Sequence, residues 1–172
     1  MEDKKTSEML VLARKEAHLT QSKASEKMPT ISEDRLSRIE KGKINISPED
    51  ILEMAEAYKR PDLCNYYCTH NCAIGKKMVE PIKVSQLSDI ILQMLESLNA
   101  MYIKKNRLIE IAADGKISDD ELEDFAKIQL QLDTISQTVN TLKLWVNTTI
   151  AHGDINKDAY AKTLENLKAK KD

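Results

Sequence analysis

Aromatic residues are scarce in this sequence of 172 residues: one Phe, one Trp and five Tyr. Gly and Pro are as sparse, with four of each. A sandwich or barrel needs turn residues about every 8–12 positions, so these numbers argue against both. No apolar run approaches the roughly 18 residues that span a bilayer, which gives no reason to expect a membrane span. The first residues, Met1-Glu2-Asp3-Lys4-Lys5, do not lead into an uninterrupted apolar signal segment, so the expected compartment is the cytoplasm. Three Cys is an odd number and makes a complete disulfide framework a poor expectation. An excess of one charge is lacking too. The net charge is -2, so the chain is no histone-like polycation, and nucleic-acid binding would need a local patch. No Gly-rich phosphate loop, nucleophile elbow or His-Glu-x-x-His motif occurs, and His18, His70 and His152 are scattered. These absences point away from an enzyme.

What the sequence does contain is helix. Charged residues make up 31% and apolar residues 41%, a balance that suits a folded, soluble chain. Three segments differ in character: 1–60, with short helical patterns broken by Pro and Gly; 61–81, between two prolines and holding Cys64, Cys68 and Cys72; and 82–172, with no Pro and only Gly115 and Gly153. In the first, Met9, Leu10, Leu12, Ala13 and Ala17 predict a buried helical stripe. Thr20 is placed to cap a short helix from Gln21 to Lys27, and Ser32 a helix from Glu33 to Lys41. Gly42 stands where a helix end favours a left-handed residue. Ser47-Pro48-Glu49-Asp50 opens a fourth helix with a Ser cap and Pro at the first helical position. Its predicted inner face is Ile51, Leu52, Met54, Ala55 and Tyr58.

In the third segment, Val84, Leu87, Ile91, Met94, Leu98, Met101, Lys105, Leu108 and Ala112 recur in steps of three and four. Phe125, Ile128, Leu132, Ile135, Val139, Leu142, Val146 and Thr149 repeat the pattern. Each series spans about four heptads, as in coiled coils and bundles. A helix of about 28 residues is roughly 42 Å long. The short connection at Asp114-Gly115-Lys116-Ile117 predicts an antiparallel hairpin. Ile90, Leu95, Tyr102 and Ile109, with Trp145 and Ile150, widen the apolar surface and call for a further partner, either the last helix near 157–168 or a second subunit.

The stretch Leu19-Thr20-Gln21, followed by Leu36-Ser37-Arg38-Ile39-Glu40-Lys41-Gly42-Lys43 at its spacing, resembles the XRE-type, lambda-repressor-like helix-turn-helix family over about residues 6–60. The resemblance implies that the helix after Ser32 lies in the major groove of DNA. It puts Gln21 at a helix N-terminus against a phosphate. It also implies an ion pair between Arg14 and Glu40, and contacts to bases or backbone from Ser32, Glu33, Asp34, Arg35 and Arg38, with Lys43 near phosphate. Two acids lead the reading helix where Gln, Arg, Ser or Thr are commoner. An acid accepts from a cytosine amino group but is repelled by phosphate. Residues 1–61 hold twelve Lys plus Arg and twelve Asp plus Glu, so the region is neutral overall.

Cys64, Cys68, His70 and Cys72 offer four soft ligands for zinc or three thiolates for an iron–sulfur cluster. Their spacing matches no zinc finger. In one continuous helix Cys64 and Cys72 would stand about 12 Å apart along the axis, so a metal site requires a fold-back near Cys68. Buried packing thiols, and a disulfide from Cys72 to Cys64 or Cys68, are the other readings. Asp114–Glu121 resembles half of a calcium loop, but the early positions, Glu110 and Ala112, supply ligands poorly. A helix end at Gly115 and a capping box from Ser118 to Glu121 fit better. The sequence thus predicts an all-α chain: a helix-turn-helix domain at 1–60, a Cys-bearing linker at 61–81 and a coiled-coil-like antiparallel hairpin at 82–172. The expected function is a regulator that binds double-stranded DNA as a homodimer through its C-terminal helices, with no resident cofactor required. The competing expectations are an adaptor that uses the fold and its C-terminal helices for protein contacts, and a regulator that senses metal or redox state through the Cys segment.

Overall fold

The structure, a computed structural model, describes residues 2–170. Every regular element among them is an α-helix. The chain divides into two compact units: residues up to 82 together with those from 146 onward, and residues 83–145. The last helix is therefore grouped with the N-terminal unit, a division different from the one the sequence suggests.

The first unit opens with α1 (Glu2–Glu16), α2 (Gln21–Ser25), α3 (Glu33–Glu40) and α4 (Pro48–Ala57). Their ends follow the sequence signals. The Thr20 hydroxyl accepts from the Lys23 N–H, and the Ser32 hydroxyl from the Arg35 N–H. Ser47 and Asp50 form a reciprocal capping box with Pro48 at the first helical position. Gly42 has φ +63°, which a β-carbon would strain, and its N–H and that of Lys43 close α3 onto the carbonyls of Ile39 and Arg38.

The core of this unit comprises Leu10, Ala13, Ala24, Met28, Ile31, Leu36, Ile39, Ile51, Met54, Ala55, Tyr58 and Leu63. Each fully buried Leu or Ile contributes about 1.5–3 kcal/mol. Two predicted core positions are exposed. Leu12 lies about 160° round the helix from Leu10, and Leu52 stands a quarter turn or more outside the line formed by Ile51, Met54 and Tyr58.

After α4 come α5 (Asp62–His70) and the single turn α6 (Gly75–Met78). The fold-back between them requires Gly75: a β-carbon there would sit 2.1 Å from the Cys68 carbonyl oxygen. Near the C-terminus, α9 (Lys157–Lys168) is capped by Asn156, whose side chain accepts from the Ala159 N–H. It buries no residue.

The second unit is the predicted hairpin, with α7 (Leu87–Ala112) packing against α8 (Leu122–His152). Gly115 turns the chain at φ +70°, and half of the expected capping box forms: the Glu121 carboxylate accepts from the Ser118 N–H at 3.1 Å, while the Ser118 hydroxyl donates to the same carboxylate at 2.6 Å instead of accepting from the Glu121 N–H. Arg107 Nε donates to Asp124 at 2.8 Å and Gln131 Nε2 to the Ser97 carbonyl at 3.0 Å, which ties the two helices together. The buried line differs from the predicted one. Val84 precedes α7, and Leu87, Ile91 and Leu98 are exposed. The closed positions are Ile90, Ser97 and Ile111 on α7 and Ile128, Thr138 and Leu144 on α8.

Candidate nucleic-acid interface

A short helix can read DNA only if one side is anchored and the other open. In α3, Leu36 and Ile39 are fully buried. At 100° per residue the opposite side carries Asp34, Ser37, Arg38 and Lys41. Asp34, Arg38 and Lys41 are exposed, as are Ser32, Glu33 and Lys43, while Ser37 is half-buried. Ser37 and Lys41 were not among the sequence candidates. Their signal was there in the spacing i, i+3, i+4, i+7 from Asp34, once Leu36 and Ile39 are fixed as the inner side.

Three bonds to Glu40 hold this helix from behind, and a fourth ties Arg14 to the turn before α2. Arg14 donates from Nε and Nη2 to the Glu40 carboxylate at 2.6 and 2.9 Å, and from Nη1 to the Leu19 carbonyl at 2.8 Å. Gln21 Nε2 donates to the same carboxylate at 2.8 Å, so the Gln21 amide is drawn to Glu40, not to the position against phosphate that the resemblance implies. The hydrogen bond that Arg14 donates to Glu40 raises the Arg14 pKa, against the opposing effect of burial. Beside this cluster the Tyr58 hydroxyl is buried without a protein partner. Burial pushes its pKa far above the ordinary phenol value; the Glu40 charge reinforces the shift and that of Arg14 opposes it.

On the flank facing α4, Arg35 donates to Asp50 from Nε at 3.2 Å and from Nη2 at 2.7 Å. Burial pushes the Asp50 carboxyl up, but the bonds and charge of Arg35 and the bonds from Ser47 outweigh it, so the pKa lies below the usual value. Arg35 is thus committed to the scaffold through a two-pronged bond. Glu53 holds the turn before α3, accepting from the Thr30 N–H at 3.1 Å and from its hydroxyl at 2.7 Å. Asp50 and Glu53 both escaped the sequence reading. The sequence placed Asp50 only in the first turn of the fourth helix, and nothing local marks a partner fifteen residues away.

Residues 10–62 match the family model described as Helix-turn-helix. This N-terminal segment belongs to the XRE-type, lambda-repressor-like helix-turn-helix family. The family is one of DNA-binding regulators, not of enzymes. No curated protein and no solved structure matched the chain. No helix among the described residues is long and apolar enough to cross a membrane.

Within the helix-turn-helix domain the pairing sorts charges that are balanced in the sequence. Arg35 and Glu40 are taken by Asp50 and Arg14. What faces solvent along α3 and the turn after it is Glu33 and Asp34 at the leading end, then Arg38, Lys41 and Lys43. The exposed side of α3 and the turn after it thus has an acidic tip followed by a basic stretch.

The Cys segment adjoins the matched region. Cys64, Cys68 and Cys72 are free and half-buried. The chain does fold back near Cys68, but His70 turns onto its own helix. Its Nδ1 lies 2.9 Å from the Tyr66 carbonyl oxygen, and its ring stacks on Tyr66 at 4.1 Å. Cys72 Sγ accepts from the Gly75 N–H at 3.4 Å. No group of three or more His, Cys, Asp or Glu among the described residues is placed to hold a metal ion. The structure therefore does not bring Cys64, Cys68, His70 and Cys72 together as a zinc or cluster site. Burial, with the neighbouring Cys68 and Asp62 charges, pushes the Cys64 thiol pKa up, which suits packing better than thiolate chemistry.

Proposed function

We propose that the chain is a cytoplasmic transcriptional regulator that reads double-stranded DNA with α3 and acts as a dimer through its C-terminal helical region. The observation that carries this reading is the open side of α3, with Asp34, Ser37, Arg38 and Lys41 on it and Leu36 and Ile39 anchoring its back. Two copies would present two such helices to successive major grooves, about 34–36 Å apart. Arg38 is assigned to direct contact with a base edge or phosphate, and Lys41 and Lys43 to phosphate. Arg35 is assigned to holding α3 against α4, because its guanidinium is bound to Asp50. Glu33 and Asp34 lower affinity for DNA of any sequence and accept from base amino groups where these are present.

Selection from random duplexes tests this. The wild-type chain is expected to enrich a two-fold symmetric site, and Arg38→Ala to weaken binding to it by about 10-fold or more, as for a lost contact worth 1–3 kcal/mol. Absence of any enriched sequence at low salt contradicts the regulator and favours the adaptor, which the exposed Glu33 and Asp34 would serve.

A further inference from the structure

The C-terminal ends of α1 and α4 border a cleft of about 460 Å³ in the first unit, within the roughly 300–1,000 Å³ usual for small-molecule sites. Its apolar wall is Ala17, Leu19, Ala57 and Tyr58. Around that wall stand Lys27, Lys59, Arg60 and His152, the last in the C-terminal stretch grouped with this unit. Glu16 supplies an acid to the lining, and Arg60 holds it in an ion pair. The same guanidinium is bonded to Asp62 at 2.7 Å, so Arg60 is already committed. The Lys27 and Lys59 ammonium groups and the His152 ring have no bond, ion pair or ring contact with any described residue. Cations at a helix C-terminus ordinarily answer its unpaired carbonyls. Here main-chain bonds already close those ends. The N–H groups of Leu19 and His18 donate to the Arg14 and Lys15 carbonyls, and those of Arg60 and Lys59 to the Ala55 and Glu56 carbonyls. The backbone adds a second observation. Glycine takes the left-handed residue after α3 and after α8, at Gly42 and Gly153. After α1 and α4 that residue is His18, with φ +56°, and Lys59, with φ +58°, where a β-carbon is strained. Lys59 thus brings its ammonium to the cleft against a backbone cost, a pattern found at ligand sites.

We infer that this cleft is a binding site for a small organic anion, whose apolar part rests on Ala17, Leu19, Ala57 and Tyr58 and whose carboxylate or phosphate is met by the Lys27 and Lys59 ammonium groups, with His152 at the rim. A neutral ligand would leave the two lysines unanswered, and a bare inorganic anion would leave the apolar wall in water. An apolar wall with a few placed polar groups is the usual composition of a site that fixes a small molecule. None of the lining residues lies on α3, so the cleft is separate from the side assigned to DNA.

The test contains no DNA, so its outcome is independent of the regulator reading. The full chain is titrated with phenyl phosphate, benzoate and inorganic phosphate and followed by its amide NMR shifts. Phenyl phosphate or benzoate is expected to saturate with a Kd in the millimolar range or below and to move the amides of residues 16–19, 57–60 and 152. Tighter binding of the first supports a phosphate ligand, and of the second a carboxylate. Lys59→Gly relieves the left-handed strain and so keeps the fold. It is expected to weaken binding by about 10-fold or more, as is Lys27→Ala, each removing a charged hydrogen-bond donor. Lys116→Ala, exposed at the turn of the hairpin, is expected to leave binding unchanged. No binding of either organic anion at up to about 20 mM overturns the site. Inorganic phosphate that binds as tightly as phenyl phosphate overturns it as well, and so does an affinity that survives both Lys59→Gly and Lys27→Ala.

Discussion

Glu40 accepts two bonds from Arg14 and one from Gln21, and its side chain is only 5% exposed. A charge so placed is tolerable only while it is paired. Glu40→Ala is therefore expected to destabilise the chain by about 3–5 kcal/mol in urea unfolding, because it strands the Arg14 guanidinium. Arg14→Ala with Glu40→Ala should cost clearly less than the two single losses added together, since neither charge is then left alone. Additive losses would show that the pair is not coupled. This pair was legible from the sequence because its spacing resembles that of the family. The pair of Arg35 with Asp50 was not. A recognition-helix arginine looks like a base reader until α4 is in place, and only packing brings a buried carboxylate to its flank. The same limit applies to Cys64, Cys68, His70 and Cys72: their spacing could be read, but not that His70 would stack on Tyr66 and bond to its own helix.

Between elements, α6 approaches α5 so closely that Gly75 leaves no room for a side chain. Gly75→Ala must push α6 off the Cys68 backbone. It is expected to cost about 1–3 kcal/mol and to speed reaction of the thiols with a cysteine reagent in the native state. An unchanged midpoint and labelling rate would place the two segments further apart than described here. The existence of the helices, their caps and the turns at Gly42 and Gly115 followed from local chemistry, which is why they were read closely. Sidedness was harder. Leu12 and Leu52 interrupt patterns whose other members are buried, and periodicity cannot tell a core residue from an apolar neighbour. On α7 the predicted stripe through Leu87, Ile91 and Leu98 runs between the side that meets α8 and the open side.

At the scale of the whole molecule, a helix-turn-helix domain and a long hairpin make separate demands on the sequence. The helix-turn-helix domain buries one shared core and leaves α3 open. The hairpin buries little by itself and leaves large apolar residues exposed on more than one side, among them Leu92, Leu98, Ile103 and Leu130. The neutral charge of residues 1–61 gave no hint of the basic stretch at Arg38, Lys41 and Lys43, because pairing, not composition, decides which charges face solvent. Hydrogen–deuterium exchange of the full chain, with and without a mixed-sequence duplex at low salt, examines the reading role of α3 without knowledge of an operator. Slowed exchange is expected in residues 32–43, with the hairpin unchanged. Protection confined to other parts of the chain, or no protection at duplex concentrations that saturate a known helix-turn-helix regulator, would contradict it.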